Sequence, residues 1–142
     1  DSGSSRGLGD VYKRQPYVDQ INNIHLLETI MYSHKLTVAG QVDCVAEYNG
    51  KLSVIDFKTA NKERNESWID NYFLQCTAYA IMYEEIFKKP IEQIVILLAG
   101  EDGSVACYKK NRKDYEESLG KAIKDFYKYY EELNKDKIAT SK

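Results

Sequence analysis

From Ile24 to Ser33, and again from Leu36 to Tyr48, apolar residues fall at the two-residue spacing of strands, with Val, Ile, Thr and Tyr enriched. His34-Lys35 marks the turn between them, and Lys51 to Thr59 reads as a third strand. From Trp68 to Phe87 the pattern changes: apolar side chains at 69, 73, 76, 80, 83 and 87 follow a 3.6-residue stripe, entered through Ser67 and Asp70. This predicts a long, mostly buried helix ended by Lys89-Pro90. Ile91 to Ala99 is a strongly apolar strand, Glu101-Asp102-Gly103 a turn, Ser104 to Lys109 a last strand, and Asn111 to Asn134 a charged amphipathic helix. The order β-β-β-α-β-β-α predicts an α/β (α+β) fold, a mixed sheet with at least one face covered by helices. Residues 1–15 are Ser/Gly-rich at their start and follow neither period, so they are expected to be a disordered or non-native leader. One domain over 16–136 and a tail over 137–142 follow.

Composition narrows what such a domain can do. Its 20 basic and 22 acidic side chains give a formal charge of −2 over 142 residues, so binding through bulk positive charge is excluded and any nucleic-acid contact must be local. The longest clearly apolar run, Ile94 to Ala99, is far short of the roughly 20 residues that a membrane helix needs. Cys44, Cys76 and Cys107 show no CxxC spacing, so neither a disulfide framework nor an iron–sulfur cluster is expected. That usage points to a reducing, cytoplasm-like compartment.

The chemistry concentrates on one hairpin. Asn49-Gly50 between two strand-like runs signals a two-residue type I′ turn, because both positions need positive φ. Tyr48 then faces Lys51, every later pair sums to 99, and Asp43 lies opposite Asp56 in a non-hydrogen-bonded pair, where Cα atoms approach to about 4.5 Å. The same arithmetic places Gln41 opposite Lys58 on this face, and pairs Val42 with Phe57 on the other, apolar face, which is expected to enter the core. Facing carboxylates destabilise a sheet unless a cation or a shared proton sits between them. A hard divalent ion such as Mg²⁺ would remove the conflict, and Lys58 beside it would complete the outline of a phosphodiesterase site. The competing reading is a solvated ion pair at a strand end, which a bulge in the hairpin would favour.

These residues resemble the PD-(D/E)XK nuclease superfamily, in particular its RecB-like branch, and within it the mitochondrial and phage-type exonucleases. The resemblance lies in Gly40-Gln41-Val42-Asp43, in Val54-Ile55-Asp56-Phe57-Lys58-Thr59 and in Leu74-Gln75-Cys76-Thr77-Ala78-Tyr79, and it covers about residues 24–133. It implies a restriction-endonuclease-like core in which Asp43 and Asp56, joined by the backbone carbonyl of Phe57, bind Mg²⁺ or Mn²⁺. It also implies that Lys58 is the catalytic lysine and that Gln75 and Tyr79 are the family's helix motif. Four residues apart, Gln75 and Tyr79 share a helix face, which also fits a core-edge glutamine beside a packed tyrosine. Glu28 matches a glutamate often seen one strand upstream in this branch, and an exposed strand glutamate fits equally. Thr59, Lys62, Arg64 and Trp68 follow the active strand and are candidates for gripping a single strand, against the alternative of a solvated loop with a tryptophan at the helix entry. Family members carry a helical segment ahead of the first strand, and here residues 1–15 stand in its place, so an N-terminally incomplete domain is expected.

The resulting expectation is a Mg²⁺-dependent DNA exonuclease acting on single strands or flaps in repair, recombination or replication. Its rivals are a nucleic-acid-binding module or nuclease fragment without turnover, and an endonuclease of the same superfamily. Polarity of digestion, preference for DNA over RNA, and any partner protein are not readable from the sequence.

Overall fold

The computed structural model describes residues 16–60 and 67–141. A short helical turn at 16–18 leads into β1 (Ile21–Ser33), β2 (Val38–Tyr48) and β3 (Lys51–Ala60). Helix α1 (Ser67–Phe87), β4 (Gln93–Gly100), β5 (Val105–Asn111), a 3₁₀ turn (Arg112–Asp114) and α2 (Glu116–Ser141) complete the order. The five strands form one sheet in the sequence order β1-β2-β3-β4-β5. All neighbours are antiparallel except β3 and β4, which are parallel and joined by α1 as the crossover helix.

The predicted elements are all present, with shifted ends. Strand β1 begins at Ile21 rather than Ile24, and β5 runs on to Asn111, whose side chain caps the 3₁₀ turn by accepting from the Lys113 N–H at 2.9 Å. That capped turn delays the last helix to Glu116, where the sequence pattern had it open at Asn111. Arg112, in the same turn, is tied to Glu84 at 2.6 Å and Glu116 at 2.9 Å, which anchors α2 to α1.

The sheet has two apolar faces. On one, α1 lays Phe73, Cys76, Ala80, Met82 and Tyr83 over Val45, Val54, Ile94 and Ile96, with Leu119 of α2 closing the cluster. On the other, Cys44, Ala46, Tyr48, Ile55, Val95 and Leu97 pack with Tyr17, Ile21 and Cys107. A central strand buried on both faces reads as a continuous apolar run, which explains why Ile94–Leu98 shows no alternation.

The hairpin turn forms as its sequence demands: Asn49 and Gly50 take φ of 52° and 80°, and Tyr48 pairs with Lys51. The register sums to 99 from there to Cys44/Ile55, and there the β2–β3 ladder ends. Two observations explain why. Val42 and Val45 are three residues apart yet both join the cluster under α1, and so do Leu26 and Met31 of β1, five residues apart. A regular strand puts odd-spaced residues on opposite faces, so both strands change face in between. Glu28, at φ 46°, lies within the β1 switch, and its carbonyl accepts from the Gln41 side-chain amide at 3.2 Å. The expected Gln41/Lys58 and Val42/Phe57 pairs therefore do not form. Val42 turns inward under α1, while Phe57 is left 46% exposed.

Candidate active site

Strand β3 carries the site on rigid backbone. Its far end is held by β4 in unbroken parallel register, Asp56 against Ile96 and Lys58 against Leu98. On the β2 side the ladder has opened. The backbone groups of Phe57 point toward β2, as those of Ile55 do two residues earlier. In place of a β2 carbonyl, the Phe57 N–H finds the Asp43 carboxylate, donating to Oδ2 at 3.1 Å. A side chain has thus replaced the backbone acceptor that a continued ladder would have supplied, and it holds Asp43 against β3.

The two carboxyl groups come within hydrogen-bonding reach of each other. Asp56 is only 4% exposed. Burial is the main reason its carboxyl is pushed up to about 7, the shared hydrogen bond with Asp43 adds to this, and the Lys58 charge works against it. Burial also works against ionisation of Asp43, but the hydrogen bonds from Asp56 and from the Phe57 N–H, with Lys58 nearby, hold its carboxyl below the ordinary carboxylate value. Without a cation the pair is best described as one proton shared by two carboxylates, resting mainly on Asp56.

Lys58 Nζ lies 3.3 Å from Asp56 Oδ2. The ammonium is the polar neighbour of that buried oxygen, and both its charge and its side-chain contact favour the ionised form of Asp56. On its other side the ammonium sits 4.5 Å from the centre of the Tyr72 ring, and Tyr72 in turn meets Trp68 edge-on at 5.0 Å. Sequence reasoning passed over Tyr72, although it lies one helical turn after Trp68 and one before Gln75 and Cys76, on the face that reaches β3. Gln75 is exposed and hydrogen-bonds Tyr79, whose ring is buried. The Tyr79 ring fills the space above Gly40, where a Cβ would come within 2.8 Å of Cε1. Cys76 is fully buried beside the site, and burial together with the Asp56 charge raises its thiol.

The remaining candidates are placed less closely. The Glu28 backbone falls between the pairs Leu27/Cys44 and Thr29/Val42, level with Asp43, with an exposed side chain. Thr59 is exposed one residue beyond Lys58. Lys62 and Arg64 lie outside the described residues. His25 faces the Tyr83 hydroxyl at 3.3 Å. An apolar cleft of about 140 Å³ opens beside Phe57 and Lys58, walled by Val18, Leu97, Ala99 and Val105. A larger cleft, about 540 Å³, is at the other end of the sheet between Lys51, Gln93 and Lys110, and none of the site carboxylates lines it. Size is therefore no guide to the chemistry here.

These features, an opened hairpin with two adjoining carboxylates and a lysine two residues on, followed by a helix with Gln75 and Tyr79 on one face, all lie within the span matched by one family model. The model of the PD-(D/E)XK nuclease superfamily matches residues 10–140, and the chain belongs to that superfamily. It is 34% identical over 102 residues to mitochondrial genome maintenance exonuclease 1 of Homo sapiens, an alignment covering 69% of this chain and 29% of that protein. With the protein of the same name from Mus musculus it shares 34% over 102 residues (69% and 30% covered), and with that from Xenopus tropicalis 36% over 109 residues (73% and 30%). The chain thus spans about three tenths of the length of these relatives.

Nucleases of this superfamily generally use divalent metal ions. Among the described residues, no group of three His, Cys, Asp or Glu side chains is close enough to hold one. The donors here are two carboxylates, one of them buried with its oxygen against the Lys58 ammonium, and the backbone of a strand end. Such a set suits a hard cation that retains several waters, the coordination typical of Mg²⁺, and would suit a fully protein-ligated ion poorly. Among the described residues no helix is long and apolar enough to cross a membrane.

Proposed function

We propose that this chain carries the catalytic core of a metal-dependent DNA exonuclease that hydrolyses phosphodiester bonds of single strands or flaps during repair, recombination or replication. The observation that carries the reading is the meeting of Asp43, Asp56 and Lys58 at the end of the β2–β3 ladder, with the lysine 3.3 Å from a buried carboxylate oxygen. Exonuclease rather than endonuclease action is supported by the names of the three relatives.

In this reading Asp43 and Asp56, with the Phe57 carbonyl, would hold Mg²⁺ or Mn²⁺, and the ion would supply stabilisation of charge on the scissile phosphate and a more acidic water. Asp43 is already placed by the Phe57 N–H, so the donor set is ordered before the ion arrives. Binding the ion would release to solvent the proton that Asp56 shares with Asp43, and the ion's charge would then offset the repulsion between the two carboxylates. Lys58 offers its N–H groups to the attacking water and to the non-bridging phosphate oxygen, where charge develops. Gln75 is exposed at the helix surface and within reach of the Tyr79 hydroxyl, so it can orient the DNA backbone, while buried Tyr79 fixes both Gln75 and the Gly40 strand. Trp68 offers a ring on which a base can stack.

The test is degradation of an end-labelled single-stranded oligonucleotide with Mg²⁺, with Mn²⁺ and with EDTA, with Lys58→Ala run beside the parent. Loss of label that needs both the metal and Lys58 supports the reading. No degradation by the parent under any of these conditions would reject it in favour of a module that binds without turnover. Cutting of a circular single strand would make the enzyme an endonuclease.

A further inference from the structure

Among the described residues the Lys58 ammonium lies against the Asp56 carboxylate and the Tyr72 ring, and of these two the ring would stay available once a cation is bound. The Asp56 carboxylate, 3.3 Å away, is the oxygen donor that a metal would claim. The Tyr72 ring, 4.5 Å away, competes for no metal. Tyr72 stands in the first two turns of α1, backed edge-on by Trp68 at 5.0 Å and half-buried against the core cluster, so its ring face is fixed in direction. An aromatic face attracts an ammonium group most where both are partly withdrawn from water, and the Lys58 side chain is 26% exposed.

We infer that Tyr72 is a positioning residue, its ring face keeping the Lys58 ammonium over the carboxylate pair after the cation has drawn Asp56 away. The inference rests on the reading of Lys58 as the catalytic lysine. It concerns the ring and not the hydroxyl, so phenylalanine should serve in its place and an aliphatic side chain of similar bulk should not.

Two readouts test it on the Mg²⁺-loaded protein: the lysine ε-CH₂ resonances, with Lys58 assigned by its loss in Lys58→Ala, and the kinetics on the end-labelled oligonucleotide. In the parent and in Tyr72→Phe the Lys58 ε-CH₂ signal should stand upfield of the other lysines through the ring current, and in Tyr72→Leu it should rejoin them. Tyr72→Leu should lose about tenfold in kcat with KM within about twofold, the size of a partly desolvated cation–π contact, and Tyr72→Phe should restore it. An unshifted Lys58 signal in the metal-loaded parent overturns the inference, as does a Tyr72→Leu protein that keeps both shift and kcat, or a Tyr72→Phe protein as slow as Tyr72→Leu. A parent without turnover would reject the proposed function, and the spectra alone would then decide whether the ring holds the ammonium.

Discussion

The β2–β3 hairpin has two halves with opposite characters. Near the turn, from Tyr48/Lys51 to Cys44/Ile55, every residue pairs in register, and Val45, Val54, Ala46 and Ile55 are fully buried. Beyond Cys44 the ladder stops, Phe57 gives its N–H to a carboxylate, and the buried side chain between Ile55 and Phe57 is an aspartate with a carboxyl near 7. The first half is built for stability. The second gives up backbone pairing and charge solvation to bring two carboxylates and a lysine together, and β4 makes this tolerable by holding β3 from the other side through Ala60/Gly100. A site of this kind needs an ordered strand that is unpaired on one edge, and the first half supplies the order.

Changes in the second half should act on chemistry, and changes in the first on stability. The largest effect belongs to Lys58→Ala: turnover of labelled single-stranded DNA should fall by about 10²–10³-fold or more with the melting temperature nearly unchanged, because the lysine is partly exposed and its ion pair is with a group that prefers to be neutral. A comparable loss of melting temperature would show that the second half is structural after all.

Asp56→Asn should also abolish turnover, but its signature is in metal-free stability against pH. Because the folded carboxyl titrates near 7 against 3.8 in the unfolded chain, the native state binds the extra proton between those values. Stability from this group is therefore complete below about pH 4 and is lost as pH rises through 7, by on the order of 2–4 kcal/mol. The lowered Asp43 adds a term of opposite sense, present above 3.8 and lost in acid, so it does not mask that window. Asparagine can still donate to Asp43 without carrying charge. The metal-free variant should melt no lower than the parent at pH 7, with a flatter profile from pH 4 to 7, and thermal melts across that range check it.

Gly40→Ala probes the junction of the halves. Its Cβ would press to 2.8 Å on the Tyr79 ring, so about 1–3 kcal/mol of stability should be lost, with turnover per folded molecule falling too as Tyr79 and Gln75 shift. Gly50→Ala should be smallest: φ of 80° costs a side chain about 1–2 kcal/mol, yet a Cβ there meets no atom within 4 Å. Denaturant melts should register that cost while turnover per folded molecule stays at the parent value.

The regular half was legible because local rules determine it. Asn49-Gly50 selects one turn type, the turn fixes the register, and alternation carries that register as far as the strands stay flat. The arithmetic that paired Asp43 with Asp56 was sound to Cys44/Ile55 and then overran, because the face switch at Asp43 and Glu28 arises from tertiary packing: Val42 is drawn under α1 and Gly40 under Tyr79. No two-residue pattern records that. The carboxylates still meet, through the Asp43 side chain reaching the Phe57 N–H rather than through a ladder pair. Tyr72 was legible in principle from its helical spacing with Trp68 and Gln75, but its relation to Lys58 depends on how α1 lies across β3.

The central claim is that the opened end of the hairpin is a divalent-cation site built from Asp43 and Asp56. Calorimetric titration of Mn²⁺ into the parent chain and into Asp56→Asn at neutral pH tests it most directly. The account predicts a single saturable site in the parent that is lost in the variant; equal binding by the two proteins, or none by the parent, would contradict it.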